Sequence, residues 1–322
     1  MMKNRLTEVA RLPENVRTAV TVGTFDGVHR GHLEILKGLL KVARRQGLRS
    51  LVITFEPHPG HVLHPGNKIK PLTDTPLKVR LLTELGLDYL ALLHFDRALS
   101  RVGPERFVSD YLISRFGMRT LVVGYDHAFG SNRAGNEKVL TELSASRNFT
   151  LIKVPPVLLD GQPVSSSRIR TALSEGNMPL ASKLLGRFYS FTGQVVTGSG
   201  RGKKLGHPTA NLVLLNPHKQ LFPDGIYAGF VDLDGKIVHG VLHHGPRPTF
   251  NDSSSTLELN LFDFNGSLYG RQLEVSIIQR IRPVLRFETA EELIRQMDRD
   301  DQEVKKVFER IKIPTDSLSR AV

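Results

Sequence analysis

The amino-acid sequence predicts an α/β unit built on a parallel sheet, followed by an all-β barrel or sandwich closed by one terminal helix. Three observations predict it. A chain of 322 residues is too long for one ordinary domain and suits two. Short apolar runs alternate with amphipathic stretches through the first half, the pattern of buried parallel strands covered by helices. After about Leu185, short apolar stretches are instead separated by Gly, Asp-Gly and Asn-Gly turns, the spacing of hairpins.

In chain order, "TAVTVGTF" reads as a buried strand and "HLEILKGLLKVARRQG" as a helix closed by Gly47. "SLVITFEP" is a strand, "PLKVRLLTELG" a helix and "YLALLHFD" a strand. "PERFVSDYLISRFG" is a helix and "TLVVGYDHAFG" a strand. The turns at residues 23–32, 55–59 and 124–130 would all lie at the carboxyl ends of strands, where open parallel sheets bind ligands. In the second half, "GQVVTGSGRG", "IYAGFVDLDGKIVHGVLHHG", "STLELNLFDFNGSLYG" and "RQLEVSIIQRIRP" read as β-structure. "TAEELIRQMDRDDQEVKKVFERI" is an amphipathic helix opened by Thr289, with acids in its first turn. The boundary is expected near Gly186, giving modules 1–185 and 186–322.

Composition narrows the function classes. Hydrophobic content of 40% and charged content of 24% describe a soluble globular protein. The absence of cysteine excludes disulfides and thiolate chemistry and fits a reducing compartment. The first twenty residues carry no signal-peptide pattern, and no apolar run approaches membrane-spanning length, so a cytoplasmic protein without a membrane partner is expected. A net charge of +12 implies an anionic partner, and nucleotides, flavin phosphates and pyrophosphate qualify. The basic residues are dispersed, without an arginine-rich tail or an RNA-binding signature, so nucleic acid is not expected.

"VGTFDGVHRGHLEIL", residues 22–36, runs from an apolar strand through a glycine turn into a helix. The first N–H groups of a helix have no internal partners and its dipole favours an anion, so phosphate can sit there. Gly31 would allow close approach of a phosphate chain, and His29 and His32 can point to one side and donate as charge develops on phosphorus. The plainer alternative is a common strand–helix turn with two incidental histidines.

"GTFDGVHRGH" resembles the HxGH-type motif of nucleotidyltransferases in the form found in prokaryotic bifunctional riboflavin kinase/FAD synthetases. "FEPHP" at 55–59, "VGYDHAFG" at 123–130 and "SSSRIR" at 165–170 resemble that family's further motifs in the expected order. The resemblance implies a Rossmann-like nucleotidyltransferase module that makes FAD and pyrophosphate from FMN and ATP. It implies catalytic roles for His29, His32, Asp126 and Arg168, and nucleotide contacts at Gly23, Thr24, Phe25, Gly31, Ser165 and Ser166. It places Pro57, His58 and Pro59 beside the flavin phosphate. His127 departs from the aromatic residue usual there. The spacing of His58, His61 and His64 invites a metal reading, but the prolines and Gly60 around them make a loop without fixed facing ligands.

"GSGRGKKLGHPTANL", residues 198–212, lacks the Gly-Lys-Ser/Thr of a Walker loop, and Pro208 stands where a phosphate-binding helix would run. It resembles the riboflavin kinase motif, a glycine-rich segment followed by PTAN, and "HHGPRPTF", "LELNLFDF" and "LYG" resemble its flanking elements. The resemblance implies a riboflavin-kinase-type β-barrel. Thr209 and Asn211 would hold Mg²⁺ and phosphates, and Gly200, Arg201, Gly202 and Lys204 would contact the nucleotide. Arg286 would contact flavin and Glu258 would be the catalytic base. Sequence pattern alone reads Glu258 as an outward-facing residue of an alternating strand.

Four positions depart from the family. His207 replaces an aromatic or aliphatic residue, His243 and His244 replace Asn-Ile, and Asn260 replaces a His. The implied protein converts riboflavin through FMN to FAD with ATP and Mg²⁺, as a monomer or weak homo-oligomer. The departures define one alternative: adenylyl transfer alone, with a barrel that binds flavin without catalysis. A basic nucleic-acid-binding factor reusing a nucleotide fold is the other.

Overall fold

The computed structural model describes residues 6–64, 66, 69–125, 135–198, 206–247 and 252–311. The chain divides into two compact units, residues 1–165 and 166–322.

The first unit is a six-stranded parallel sheet with spatial order β1-β4-β3-β2-β5-β6. Its strands are β1 (Thr7–Glu8), β2 (Thr18–Val22), β3 (Arg49–Glu56), β4 (Tyr89–His94), β5 (Met118–Gly124) and β6 (Thr150–Val154). Helices α1 (Arg30–Gln46), α2 (Pro59–Leu63), α3 (Thr75–Glu84), α4 (Arg97–Ser100), α5 (Pro104–Arg106) and α6 (Glu137–Ser146) connect them, and α5 continues as a π-helical stretch over Phe107–Arg115. All five residues of β2 are buried, because helices cover both faces of a parallel sheet. Val20 and Val22 join Leu51, Ile53, Leu121 and Val123 in one core. Gly47 ends α1 in the left-handed conformation at φ +62°, as the sequence predicts. A short antiparallel pair, β7 (Leu158–Leu159) and β8 (Gln162–Pro163), follows the sheet.

Strand order reverses between β2 and β5. From β2 the chain adds β3 and β4 on one side, then returns to place β5 and β6 on the other. Such a switch point opens a crevice at the carboxyl ends of its two strands. The turn after β2 begins the histidine motif, and β5 leads into the motif beginning at Val123.

The second unit is a closed six-stranded antiparallel barrel, so the barrel is formed and the sandwich is not. Its circular order is β10-β13-β12-β11-β14-β9. The strands are β9 (Tyr189–Val196), β10 (Ala210–Leu214), β11 (Gly225–Leu233), β12 (Lys236–Arg247), β13 (Asp252–Leu261) and β14 (Gln272–Arg282). The Asp234-Gly235 turn joins β11 to β12 with both residues at positive φ (+56° and +90°), the twist a two-residue hairpin requires. Helix α7 (Ser166–Ser174) and helix α8 (Met178–Leu185) precede the barrel, and α9 (Ala290–Arg310) follows it. Val304, Val307 and Phe308 of α9 pack on Phe230 and Ile278, the stripe its amphipathic pattern requires. Arg282 of β14 also grips buried Asp300 of α9 through two hydrogen bonds, at 2.8 and 2.6 Å.

The division between the units falls about one helical hairpin before the boundary expected near Gly186. Helix α8 buries Met178, Ala181, Leu184 and Leu185 and packs on β9 and β14, so contacts assign it to the barrel side.

Candidate active sites

The turn after β2 is tightly wound. Phe25, Gly27 and Val28 all adopt positive φ (+47°, +90° and +38°). Phe25 and Val28 are buried, at 2% and 1% exposure, so packing holds two side-chain-bearing residues in a conformation that costs about 1 kcal/mol or more each. Phe25 lies edge-on to the His32 ring at 5.2 Å. The ring of His32 stacks on that of His29, with centroids 3.7 Å apart and planes 14° from parallel. His29 is also the N-cap of α1: its Nδ1 accepts from the His32 backbone N–H at 3.3 Å. The two histidines are thus brought together, and the cap fixes one nitrogen of His29 as an acceptor.

Gly23 and Gly31 fill different needs. A Cβ on Gly31 would lie 3.2 Å from the His29 ring and 3.3 Å from the Val164 carbonyl, so the helix start has little room for a side chain. One on Gly23 would meet the Phe25 ring at 3.2 Å.

Two residues that the sequence reading passed over stabilise this turn. Buried Asp26 accepts hydrogen bonds from the N–H groups of Leu72 and Thr73, at 2.8 and 3.1 Å. Lys78 of α3, only 6% exposed, donates to the Thr24 carbonyl at 2.8 Å, beside a bond from Thr54 Oγ1 at 3.1 Å. Burial pulls the Lys78 ammonium below the ordinary lysine value, against the charges of Asp26 and Glu56. The one available signal was a lysine at a core-facing helical position, between Leu77 and Leu81.

After β3, Pro57 and Pro59 lie on either side of His58, which caps α2 by accepting from the Gly60 N–H at 3.0 Å. The segment expected as a plain loop is a short helix, with Pro59 at its first position, where a missing N–H costs nothing. His61 Nε2 meets the Ile69 carbonyl at 2.5 Å. Among the described residues, no three His, Asp or Glu side chains gather as a metal site. Ser165 immediately precedes α7; Ser166 is its first residue, and Arg168 lies in its first turn, half-buried. Asp126 and His127 lie outside the described residues, as do Gly200, Arg201, Gly202 and Lys204.

On the barrel, Thr209, Asn211 and Glu258 come together. Asn211 of β10 pairs directly with Glu258 of β13, and Glu258 pairs with His243 of β12. Direct partners in a ladder share a face, so the three form one row. Glu258 does face away from the buried Leu257 and Leu259, as its alternating pattern suggests, but it is half-buried there. Its carboxylate accepts from Thr209 Oγ1 at 3.2 Å and from Thr256 Oγ1 at 3.3 Å. Gly198 lies so close to Asn211 that a Cβ there would fall 2.0 Å from Nδ2. Arg286 sits on the exposed segment between β14 and α9.

The departures from the family have defined places. His243 and Asn260 are diagonal neighbours across β12 and β13, on the face that carries Glu258. His244 points the other way, 7% exposed, edge-on to Phe222 at 5.4 Å and 3.9 Å from Asp224. Burial pushes its imidazole below the ordinary histidine value.

A stacked histidine pair at a helix N-terminus in one unit and a Thr–Asn–Glu cluster on the barrel of the other are group types suited to phosphate chemistry, the chemistry of the transferase class. A family model described as FAD synthetase matches residues 12–168, and one described as riboflavin kinase matches residues 185–308. The bifunctional riboflavin kinase/FMN adenylyltransferase of Bacillus subtilis (strain 168) is 33% identical over 307 residues, 93% of this chain and 95% of that protein. The protein of the same name from Escherichia coli (strain K12) is 35% identical over 291 residues, 90% of this chain and 92% of that one. The chain belongs to the bifunctional riboflavin kinase/FMN adenylyltransferase family. A crystal structure described as a macrolide-efflux protein from Streptococcus pneumoniae matches with a TM-score of 0.83 and 30% identity, covering 93% of this chain and 98% of that one. Among the described residues, no helix is long and apolar enough to cross a membrane.

Proposed function

We propose that each of the two family-matched modules carries one of two successive reactions. In the barrel, the ribityl 5′-hydroxyl of riboflavin attacks the γ-phosphorus of ATP and Glu258 takes its proton, giving FMN and ADP. In the α/β unit, the FMN phosphate attacks the α-phosphorus of ATP and pyrophosphate leaves, giving FAD. That step needs no enzyme nucleophile. His29 and His32 at the α1 N-terminus, with Arg168 and Asp126 in the roles their motifs imply, would position the phosphates and offset developing charge. The presence of both matched modules in one chain favours this reading over a barrel that only binds flavin.

The oxygen donors on the barrel suit a hard cation. The Thr209 hydroxyl, the Asn211 amide oxygen and the Glu258 carboxylate are the ligand types Mg²⁺ prefers, and the missing side chain of Gly198 makes room for the Asn211 amide beside them. Thr209 and Asn211 would hold the ion, which when bound neutralises charge on the ATP phosphates. Gly200, Arg201, Gly202 and Lys204 would cover the nucleotide, and Arg286 would contact flavin. Pro57, His58 and Pro59 would contact the FMN phosphate, while Gly23, Thr24, Phe25, Gly31, Ser165 and Ser166 would contact ATP.

Functional modules at 1–185 and 186–322, a cytoplasmic setting, a monomer or weak homo-oligomer and no nucleic-acid partner complete the proposal. The riboflavin kinase match begins at residue 185, which supports the module boundary.

The observation that carries the proposal is the Thr209–Glu258 hydrogen bond beside the Asn211–Glu258 register pair. Chromatography of flavins formed from riboflavin, ATP and Mg²⁺, beside a reaction started from FMN, tests it. Glu258→Gln should stop FMN formation and leave FMN-to-FAD conversion intact; the joint variant His29→Ala, His32→Ala should do the reverse. Wild-type FMN formation by Glu258→Gln would remove Glu258 from the mechanism.

A further inference from the structure

The ring of His207, immediately before Pro208 and Thr209, is only 8% exposed. Its Nε2 lies 3.3 Å from Asp298 Oδ1 and its Nδ1 lies 3.4 Å from Asp301 Oδ2. Whichever ring nitrogen carries a proton therefore faces a carboxylate acceptor. The two aspartates are three residues apart on α9 and share a side of the helix. Asp300 between them turns to Arg282 of β14 and also accepts from Gln296 at 2.9 Å. One helix is thus fastened to the barrel wall through Asp300 and to the loop before β10 through His207.

We propose that His207 is a positioning residue: it ties the Thr209–Asn211 segment to α9, and makes the terminal helix part of the kinase site. The inference rests on the reading of Thr209 and Asn211 given above. Pro208, with its fixed φ, removes one of the few torsions between His207 and Thr209, so anchoring His207 narrows the positions open to Thr209. Thr209 in turn donates to Glu258 at 3.2 Å. A purely apolar ring at position 207 could fill the same space against α9 but would leave both carboxylates without this partner. The substitution that departs from the family here is therefore matched by two acids placed to receive it.

The test uses the full-length protein and measures riboflavin phosphorylation against MgATP concentration, with FMN adenylylation and melting temperature on the same samples. His207→Phe should raise KM for MgATP about fivefold with a smaller change in kcat, the size expected from losing one or two partly buried polar contacts. His207→Gln, which keeps a side-chain donor, should recover most of it. The joint variant Asp298→Asn, Asp301→Asn should reproduce the rise, and adding it to His207→Phe should make the loss no worse. FMN adenylylation should stay at the wild-type level throughout.

Wild-type KM in His207→Phe overturns the inference, as does a combined variant whose losses multiply. A fall in kcat alone, matched by a lower melting temperature, assigns His207 to folding and also overturns it. If His207→Phe fails to fold, wild-type KM in the aspartate variant does the same. Thr209→Ala separates the two layers. If it leaves phosphorylation intact, the metal-site reading fails; if it abolishes phosphorylation while His207→Phe is silent, only the present inference fails.

Discussion

Lys78 Nζ donates to the carbonyl oxygen of Thr24 at 2.8 Å, linking the middle of α3 to the turn that opens the histidine motif. The lysine is buried, and Asp26 from the same turn holds the chain just before α3. The left-handed conformations at Phe25 and Val28 are therefore braced from outside the turn.

Lys78→Met removes that brace while keeping an unbranched side chain. Among the described residues, the Thr24 carbonyl would keep its bond from Thr54 Oγ1. FMN adenylylation should lose roughly tenfold in kcat/KM, the effect of misplacing a positioning group, while riboflavin phosphorylation is unchanged. Parallel assays of the two reactions on one preparation check this; equal losses in both would show general destabilisation instead.

Gly198→Ala should act on the other reaction. The new methyl group would occupy the space of the Asn211 amide and drive that side chain from its place opposite Glu258. A rise in the Mg²⁺ concentration needed for half-maximal phosphorylation is expected, with adenylylation unaffected. A magnesium titration of both activities reads this directly.

His243 and Asn260 hold, in exchanged order, the residue types that the family places at these two positions. Because they are diagonal neighbours beside Glu258, the exchange keeps one imidazole and one amide on that face. His243→Asn or Asn260→His alone should each slow phosphorylation by about fivefold or more, since one group is duplicated and the other lost. The double exchange should recover most of the rate. A four-member mutant cycle of kcat/KM measures the coupling, and independent effects would count against paired action.

The pH dependence of barrel stability should carry the signature of His244. Its imidazole is held below the ordinary histidine value chiefly by burial, with Asp224 pulling the other way. The unfolded chain then takes up a proton that the folded chain resists. His244 therefore adds stability above about pH 6.5, and that contribution is lost as the pH falls through its lower folded value. Urea midpoints between pH 7.5 and 5 should decline, and His244→Gln should flatten the decline.

Much of both modules was legible in the sequence because their signals are local. The β2 strand, the start of α1 at the histidine motif, the Gly47 cap, the Asp234-Gly235 hairpin and the Thr289 cap each depend on residues within a few positions of one another. Strand β6 and helix α6 were not anticipated: β6 is a sheet-edge strand with only Val154 buried, so its apolar signal is weak. The short helix at Pro59–Leu63 was hidden by two prolines that read as loop.

The sequence by itself determined which residue types were available for phosphate chemistry and in what order they occur, because motifs are local strings. Only the tertiary structure decided which of them meet. Strand register set Asn211 and His243 on either side of Glu258, and chain reversal placed the histidine turn at the switch point between β2 and β5. Lys78 on Thr24 and His207 between Asp298 and Asp301 join residues 54 or more positions apart. No periodicity in a sequence encodes such pairs, since they arise where separately stable elements come to rest against one another.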